Sequence, residues 1–170
     1  RGTKRDLLKM AKDNAKLKLD EKFRLLELGN RKTKGAQAEI FKALGLPYGS
    51  IIESFDHSHI QGTDPVSACV VFKDGEPFKT AYRKYKLKGE VEHQNGADEV
   101  GNTREVVRRR YSRMLKEHTR LPDLILMDGG QIQVDACLDV LRNELNCDIP
   151  VAGMVKDNHH HTNHLIFGVP

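Results

Sequence analysis

The stretch from Ile51 to Leu87, IIESFDHSHIQGTDPVSACVVFKDGEPFKTAYRKYKL, decides how the chain is read. Three short β-like runs stand in it: IIESFD (51–56), SACVVF (67–72) and FKTAYRKYKL (78–87). Between the last two lies KDGEP, and an Asp-Gly pair flanked by apolar alternation is a strong hairpin signal. Three sequential antiparallel strands are therefore expected. Downstream, VGNTREVVRRRYSRMLKE (100–117) places Val100, Val107, Tyr111 and Met114 on one helical face. LILMD (124–128) then reads as a buried strand that breaks at Gly129-Gly130 into a helix lined by Val134, Leu138, Leu141 and Leu145. IPVAGMVKD (149–157) closes the series as a fifth strand. The predicted fold is α/β, a mixed sheet of order βββαβαβ. Its first three strands form a meander, and the last two add in parallel through helical crossovers.

Upstream of the sheet the periodicity changes. Leu8, Ala11, Ala15, Leu19, Phe23 and Leu26 recur at spacings of three and four, and Gly29-Asn30 supplies a stop. A shorter helix carries Ala36, Ile40, Phe41 and Leu44 and ends at Gly45, before Pro47. The expected organisation is an N-terminal helical segment over 1–48 and one α/β domain over 49–170.

With 170 residues the chain is long enough for one real core, and its net charge of +4 leans weakly toward a polyanionic partner. No apolar run approaches the roughly 20 residues of a membrane span, and the charged start RGTKRDLLKMAKDNAK has no signal-peptide pattern. Cys69, Cys137 and Cys147 lack CxxC spacing and read as buried free thiols of a cytoplasmic protein.

The strand ends carry the chemistry. Asp56 closes the first strand and Asp128 the fourth, and ligand sites in open α/β sheets lie at the carboxyl ends of strands. If those strands are parallel neighbours, two carboxylates remote in sequence converge, and they repel unless a cation or proton separates them. Such oxygen donors suit Mg²⁺ or Mn²⁺, ions that bind phosphodiesters and activate water.

The same residues carry a resemblance. FD-x-SH-x-x-G from Phe55, DGG-x-x-Q from Asp128, RRRY at 108–111 and VKDNHHHT at 155–162 are similar to the UvrC family, the nuclease subunit of bacterial nucleotide excision repair. The resemblance covers essentially the whole chain. It implies an RNase H-like endonuclease domain that incises DNA 5′ to a lesion, with Asp56 and Asp128 as catalytic carboxylates. It also implies damaged double-stranded DNA and UvrB as partners, the latter through a segment outside this chain, and no membrane. The family's catalytic histidine sits in a helix beyond the fifth strand. The chain stops at Pro170 before such a helix, no histidine here matches it, and the piece is expected to cut nothing alone.

The remaining candidates each have a plainer reading. His57, Ser58 and His59 support the strand end or merely pack and cap it, and neither histidine is expected to bind so hard an ion. Gly129 and Gly130, with Gln131 and Gln133 beside them, either turn the chain sharply or offer bare N–H groups to a phosphate. Asp98 and Glu99 cap a helix; the family also has an acidic pair here, which implies a supporting role near metal or DNA. Arg83, Lys84, Lys86, Arg108, Arg109 and Arg110 are the candidates for DNA phosphate contacts, though the three arginines cannot share one face. Lys156 and Asp157 reach toward the site edge, and His160 sits in a histidine-rich hairpin or loop facing DNA. Two rival classes remain: a non-catalytic nucleic-acid-binding module of the same fold, and a phosphate-binding protein, which lacks the fuller glycine fingerprint.

Overall fold

The computed structural model describes residues 33–58, 64–88, 99–156 and 162–167. The leading helix expected through Leu26 lies outside those residues, as do His59, Gln61, Gly62, Asp98, Asp157 and His160. In chain order the elements are helix α1 (Thr33–Ala43), strands β1 (Ile51–Ser58), β2 (Val66–Lys73), β3 (Glu76–Pro77) and β4 (Arg83–Lys86), helix α2 (Glu99–Lys116), strand β5 (Leu124–Asp128), helix α3 (Gln131–Asp139), and strands β6 (Val151–Lys156) and β7 (Thr162–Phe167).

All seven strands join one mixed sheet of order β3-β2-β1-β5-β6-β7, with β4 also paired to β2. β1 runs antiparallel to β2 and parallel to β5, and β5 runs parallel to β6, as the sequence predicts. The Asp-Gly hairpin forms with Lys73 opposite Glu76. Asp74 (φ 53) and Gly75 (φ 82) both occupy the left-handed region, as a two-residue type I′ loop requires.

Two elements depart from expectation. The third strand, predicted over 78–87, is shortened to β4: β3 lies before it, at Glu76–Pro77, a 3₁₀ turn spans Lys79–Ala81, and pairing with β2 resumes only at Arg83. The ladder runs through the Phe78 N–H, which donates to the Val71 carbonyl at 2.8 Å, and lapses where the chain turns into the 3₁₀ element. The seventh strand was missing from the predicted order. β7 pairs antiparallel to β6, with an irregularity at Val155/Lys156.

Periodicity explains the packing. Along β1, alternate residues Glu53, Phe55 and His57 face helix α2. Arg110 and Tyr111 bond Glu53, the Tyr111 ring meets Phe55 edge-on, and Thr103 bonds His57. Four strand residues advance about 13 Å and seven or eight helical residues return about 11 Å, so β1 and α2 run antiparallel. The first turn of α2 therefore lies at the carboxyl end of β1. Helix α3 packs on α2 and on β6, and a single π turn (Val140–Glu144) ends it. Close approach requires glycine at Gly153. A Cβ on Gly153 would stand 2.4 Å from the Gly129 carbonyl oxygen and 2.8 Å from Val134 Cγ2. Helix α1 joins the same core through Ala36, Ile40 and Phe41. Its buried Gln37 donates to the Gly49 carbonyl and accepts from the Gly75 N–H, clamping the hairpin turn.

Candidate active site

The parallel register of β1 and β5 pairs Ile52 with Leu124 and Phe55 with Met127. Continued by one residue, it sets Asp56 against Asp128, on strands about 4.8 Å apart. Both are strand residues rather than loop residues, because each strand still pairs with its other neighbour there: Asp56 with Ala68, and Asp128 with Met154. Asp56 and Asp128 line one hollow together with Phe55, His57, Glu99, Met127 and Gln133. The structure thus places the two candidate carboxylates together, and Glu99 at the start of α2 completes the acidic rim.

A string of hydrogen bonds runs beside the hollow. His57 Nδ1 lies 3.1 Å from Ser67 Oγ and Nε2 lies 2.9 Å from Thr103 Oγ1. The Thr103 hydroxyl donates to Gln133 Oε1 at 2.7 Å, and Gln133 Nε2 donates to Glu99 Oε2 at 3.1 Å. The directions follow from chemistry. An ionised carboxylate only accepts, so Gln133 turns its NH₂ toward Glu99 and its carbonyl toward Thr103. Thr103 gives its single proton to that carbonyl and so accepts from His57 Nε2–H. Both ring nitrogens of His57 face hydroxyls.

The other candidates distribute as follows. Gly130 caps α3 in an extended conformation with open space around it. A Cβ on Gly129 would meet Gln133 Cγ at 2.8 Å, so the first glycine makes room for Gln133. Gln133, not Gln131, lines the hollow; Gln131 donates instead to Asp135 along the exposed side of α3. Ser58 pairs with Val66 at the end of β1, and Lys156 ends β6.

The arginine triplet splits three ways. Arg108 turns to the π turn, where Nε and Nη2 bond Glu144 at 2.6 and 3.0 Å. Arg109 turns to β4, donating to the Lys86 carbonyl and lying 5.4 Å from the Tyr85 ring centroid. Arg83 shares that face of β4, while Lys84 and Lys86, one residue out of phase, point to the opposite face of the sheet; all three are exposed. Arg110 does not contact phosphate: its side chain is 7% exposed and grips Glu53 through Nε and Nη2 at 2.7 and 2.8 Å. A buried carboxylate on β1 demands a cation, and Arg110 is the cation that α2 supplies. The phosphate contact expected of it is withdrawn. Burial and the Glu53 charge push the Tyr111 phenol well above its ordinary range, so it stays protonated and donates to Glu53 at 2.6 Å. The same two causes hold Cys69 as a neutral thiol.

Sequence reasoning passed over Glu53, Ser67 and Thr103. The first looked like the polar side of an alternating strand, and the others like ordinary strand and helix residues. The only warning was that Glu53 falls among apolar neighbours on a strand destined for the centre of the sheet.

Among the described residues, no group of three or more His, Cys, Asp or Glu side chains stands ready to hold a divalent ion. Mg²⁺ and Mn²⁺ do not need such a cage: Mg²⁺ keeps several waters and takes one or two carboxylates. Two aspartates on adjacent rigid strands, with a third carboxylate lining the same hollow, fit an ion of that kind. No described helix is long and apolar enough to cross a membrane.

Residues 41–167 match the family model of the UvrC RNAse H endonuclease domain. A UvrABC system protein C of Lactobacillus gasseri is 86% identical over 170 residues, which is 100% of this chain and 28% of that protein. One from Lactobacillus delbrueckii subsp. bulgaricus is 83% identical over the same 170 residues, again 28% of its length. The chain therefore spans 28% of the curated relatives it matches. Among solved structures, a Ciona intestinalis endonuclease V in complex with a 23mer DNA aligns with a TM-score of 0.42 and 14% identity, covering 74% of this chain and 57% of that one.

Proposed function

The chain belongs to the UvrC RNase H endonuclease domain family, and from that premise we propose that Asp56 and Asp128 form the acidic centre of a metal-dependent DNA endonuclease. The observation that carries this reading is the parallel pairing of β1 with β5, which brings both carboxylates to one hollow. Their oxygens would hold Mg²⁺ or Mn²⁺, which when bound supplies charge neutralisation and water activation at neutral pH. The chain's own residues do the rest. The two central strands keep the carboxylates from drifting. The open backbone at Gly130 lets a phosphate approach the start of α3. The exposed basic side chains at β4, Arg83 with Arg109 on one face and Lys84 with Lys86 on the other, contact the DNA backbone without reading bases.

Within the whole protein the reaction is incision of one strand 5′ to a lesion in double-stranded DNA, with UvrB delivering the substrate. In the intact protein, Asp56→Asn or Asp128→Asn abolishes the 5′ cut while DNA affinity stays within about twofold, because phosphate contacts dominate binding. Parental cutting by either variant refutes the assignment. Full DNA binding with no cutting by the parent under Mg²⁺ and Mn²⁺ would favour the non-catalytic module.

A further inference from the structure

The hydrogen-bond string does more than fill space beside the hollow. Every member is constrained at both ends. Ser67 is 0% exposed on β2 and anchors His57, and Thr103 is 0% exposed on α2 and joins His57 to Gln133. Gln133 reaches across from α3 only because Gly129 carries no Cβ. The string ends on Glu99, whose side chain is exposed and without the string would sample several rotamers at the open end of its helix. Glu99 and Thr103 are four residues apart and so share a face of α2, and the string draws that face toward α3.

We infer that His57, Thr103 and Gln133 are positioning residues that hold the Glu99 carboxylate over the hollow beside Asp56 and Asp128. Glu99 then adds fixed negative charge where a divalent ion would sit, without having to be ordered by the ion. This rests on the acidic-centre reading above. The donor directions give the string a polarity: the His57 N–H passes to Thr103, the Thr103 proton to Gln133 and the amide proton to Glu99. Loss of any hydroxyl or amide therefore uncouples everything beyond it. Thr103 is the most informative break, since valine has its shape and lacks only the donor and acceptor.

The test measures Mn²⁺ uptake by calorimetry on the chain alone, without DNA. Groups that orient the residues around a metal site typically change affinity by about 10- to 100-fold when lost. Thr103→Val is expected to weaken Mn²⁺ binding by about tenfold, and Thr103→Ser, which keeps the hydroxyl, to restore it. A merely structural role makes a further demand, that the losses add. The string predicts instead that Thr103→Val combined with Glu99→Gln binds no more weakly than Glu99→Gln alone. Thermal melts check that each variant folds, and His57→Phe takes the place of Thr103→Val if that variant does not. Parental affinity in the variant that breaks the string, with Asp56→Asn still weakened, overturns the string and leaves the acidic centre standing. Affinity unchanged by Asp56→Asn and Asp128→Asn overturns the acidic centre, and the string with it.

Discussion

Replacing Arg110 with methionine tests whether the buried Glu53 cluster is held by ion pairing. Methionine keeps the apolar stem of arginine and stops where the guanidinium begins, so the perturbation is chiefly the loss of that charged group. Glu53 would keep the Tyr111 hydroxyl at 2.6 Å and the distant Cys69 thiol at 3.9 Å, but lose both guanidinium bonds. Two charge-assisted hydrogen bonds at about 1.5–3 kcal/mol each give about 3–6 kcal/mol. Stripping one partner from a buried pair gives about 3–5 kcal/mol by an independent route. The two agree, and at about 2–4 °C per kcal/mol for a domain of this size the melting temperature falls by roughly 6–20 °C. Urea unfolding followed by circular dichroism at pH 7 reads the same loss as a lower midpoint at constant slope. The converse variant is sharper. Glu53→Met with Arg110→Met and Tyr111→Phe removes both charges and the phenol together, leaving only the neutral Cys69 thiol and Tyr85 hydroxyl, and most of the stability should return, because apolar replacements of whole buried ion clusters are often neutral or stabilising. Arg110→Met within about 1 kcal/mol of the parent, or a triple variant as weak as the single one, would refute the reasoning.

Other consequences are equally direct. Gly153→Ala drives a Cβ into the Gly129 carbonyl and Val134, at 2.4 and 2.8 Å; it should cost about 1–3 kcal/mol in chemical denaturation and lower DNA cutting, because the strain falls beside Asp128. Glu144 is held below the usual glutamate range, first by the Arg108 hydrogen bond and then by the Arg108 and Arg104 charges. A depressed carboxylate stabilises fully above its unfolded value near 4.3, and that contribution fades as pH falls through the lower folded value. The gap between parent and Glu144→Gln should therefore be under about 1 kcal/mol for so exposed a pair, flat from pH 7 to 5, and closed in strong acid. A gap that widens in acid contradicts the pairing. Lys84→Ala should weaken DNA binding alike on all sequences and reduce the salt slope of log affinity by about 0.9, measured by fluorescence anisotropy.

The legible parts of the sequence were those with local physical causes. The Asp74-Gly75 turn was visible because only a few residue types tolerate left-handed backbone. β1, β2 and β5 were visible as short apolar runs, and the pairing of Asp56 with Asp128 followed from placing them at strand ends. What resisted reading was non-local. Nothing in RRRY says which arginine meets a buried glutamate 57 residues away, since all three carry the same charge and only the helix phase against β1 separates them. His57 and Thr103 likewise become partners only once β1 and α2 run antiparallel. β7 was hidden by a histidine-rich approach with little apolar alternation.

The two acid-bearing strands occupy the middle of the sheet, with β2 outside one and β6 outside the other. Opening at either border, where β3, β4 or β7 peels away, leaves the interval between Asp56 and Asp128 unaltered. In hydrogen-exchange terms, the amides of β1 and β5 belong to the last unit to exchange, while the border strands exchange early. The molecule can thus loosen its periphery around a large polymer without detuning the reactive centre.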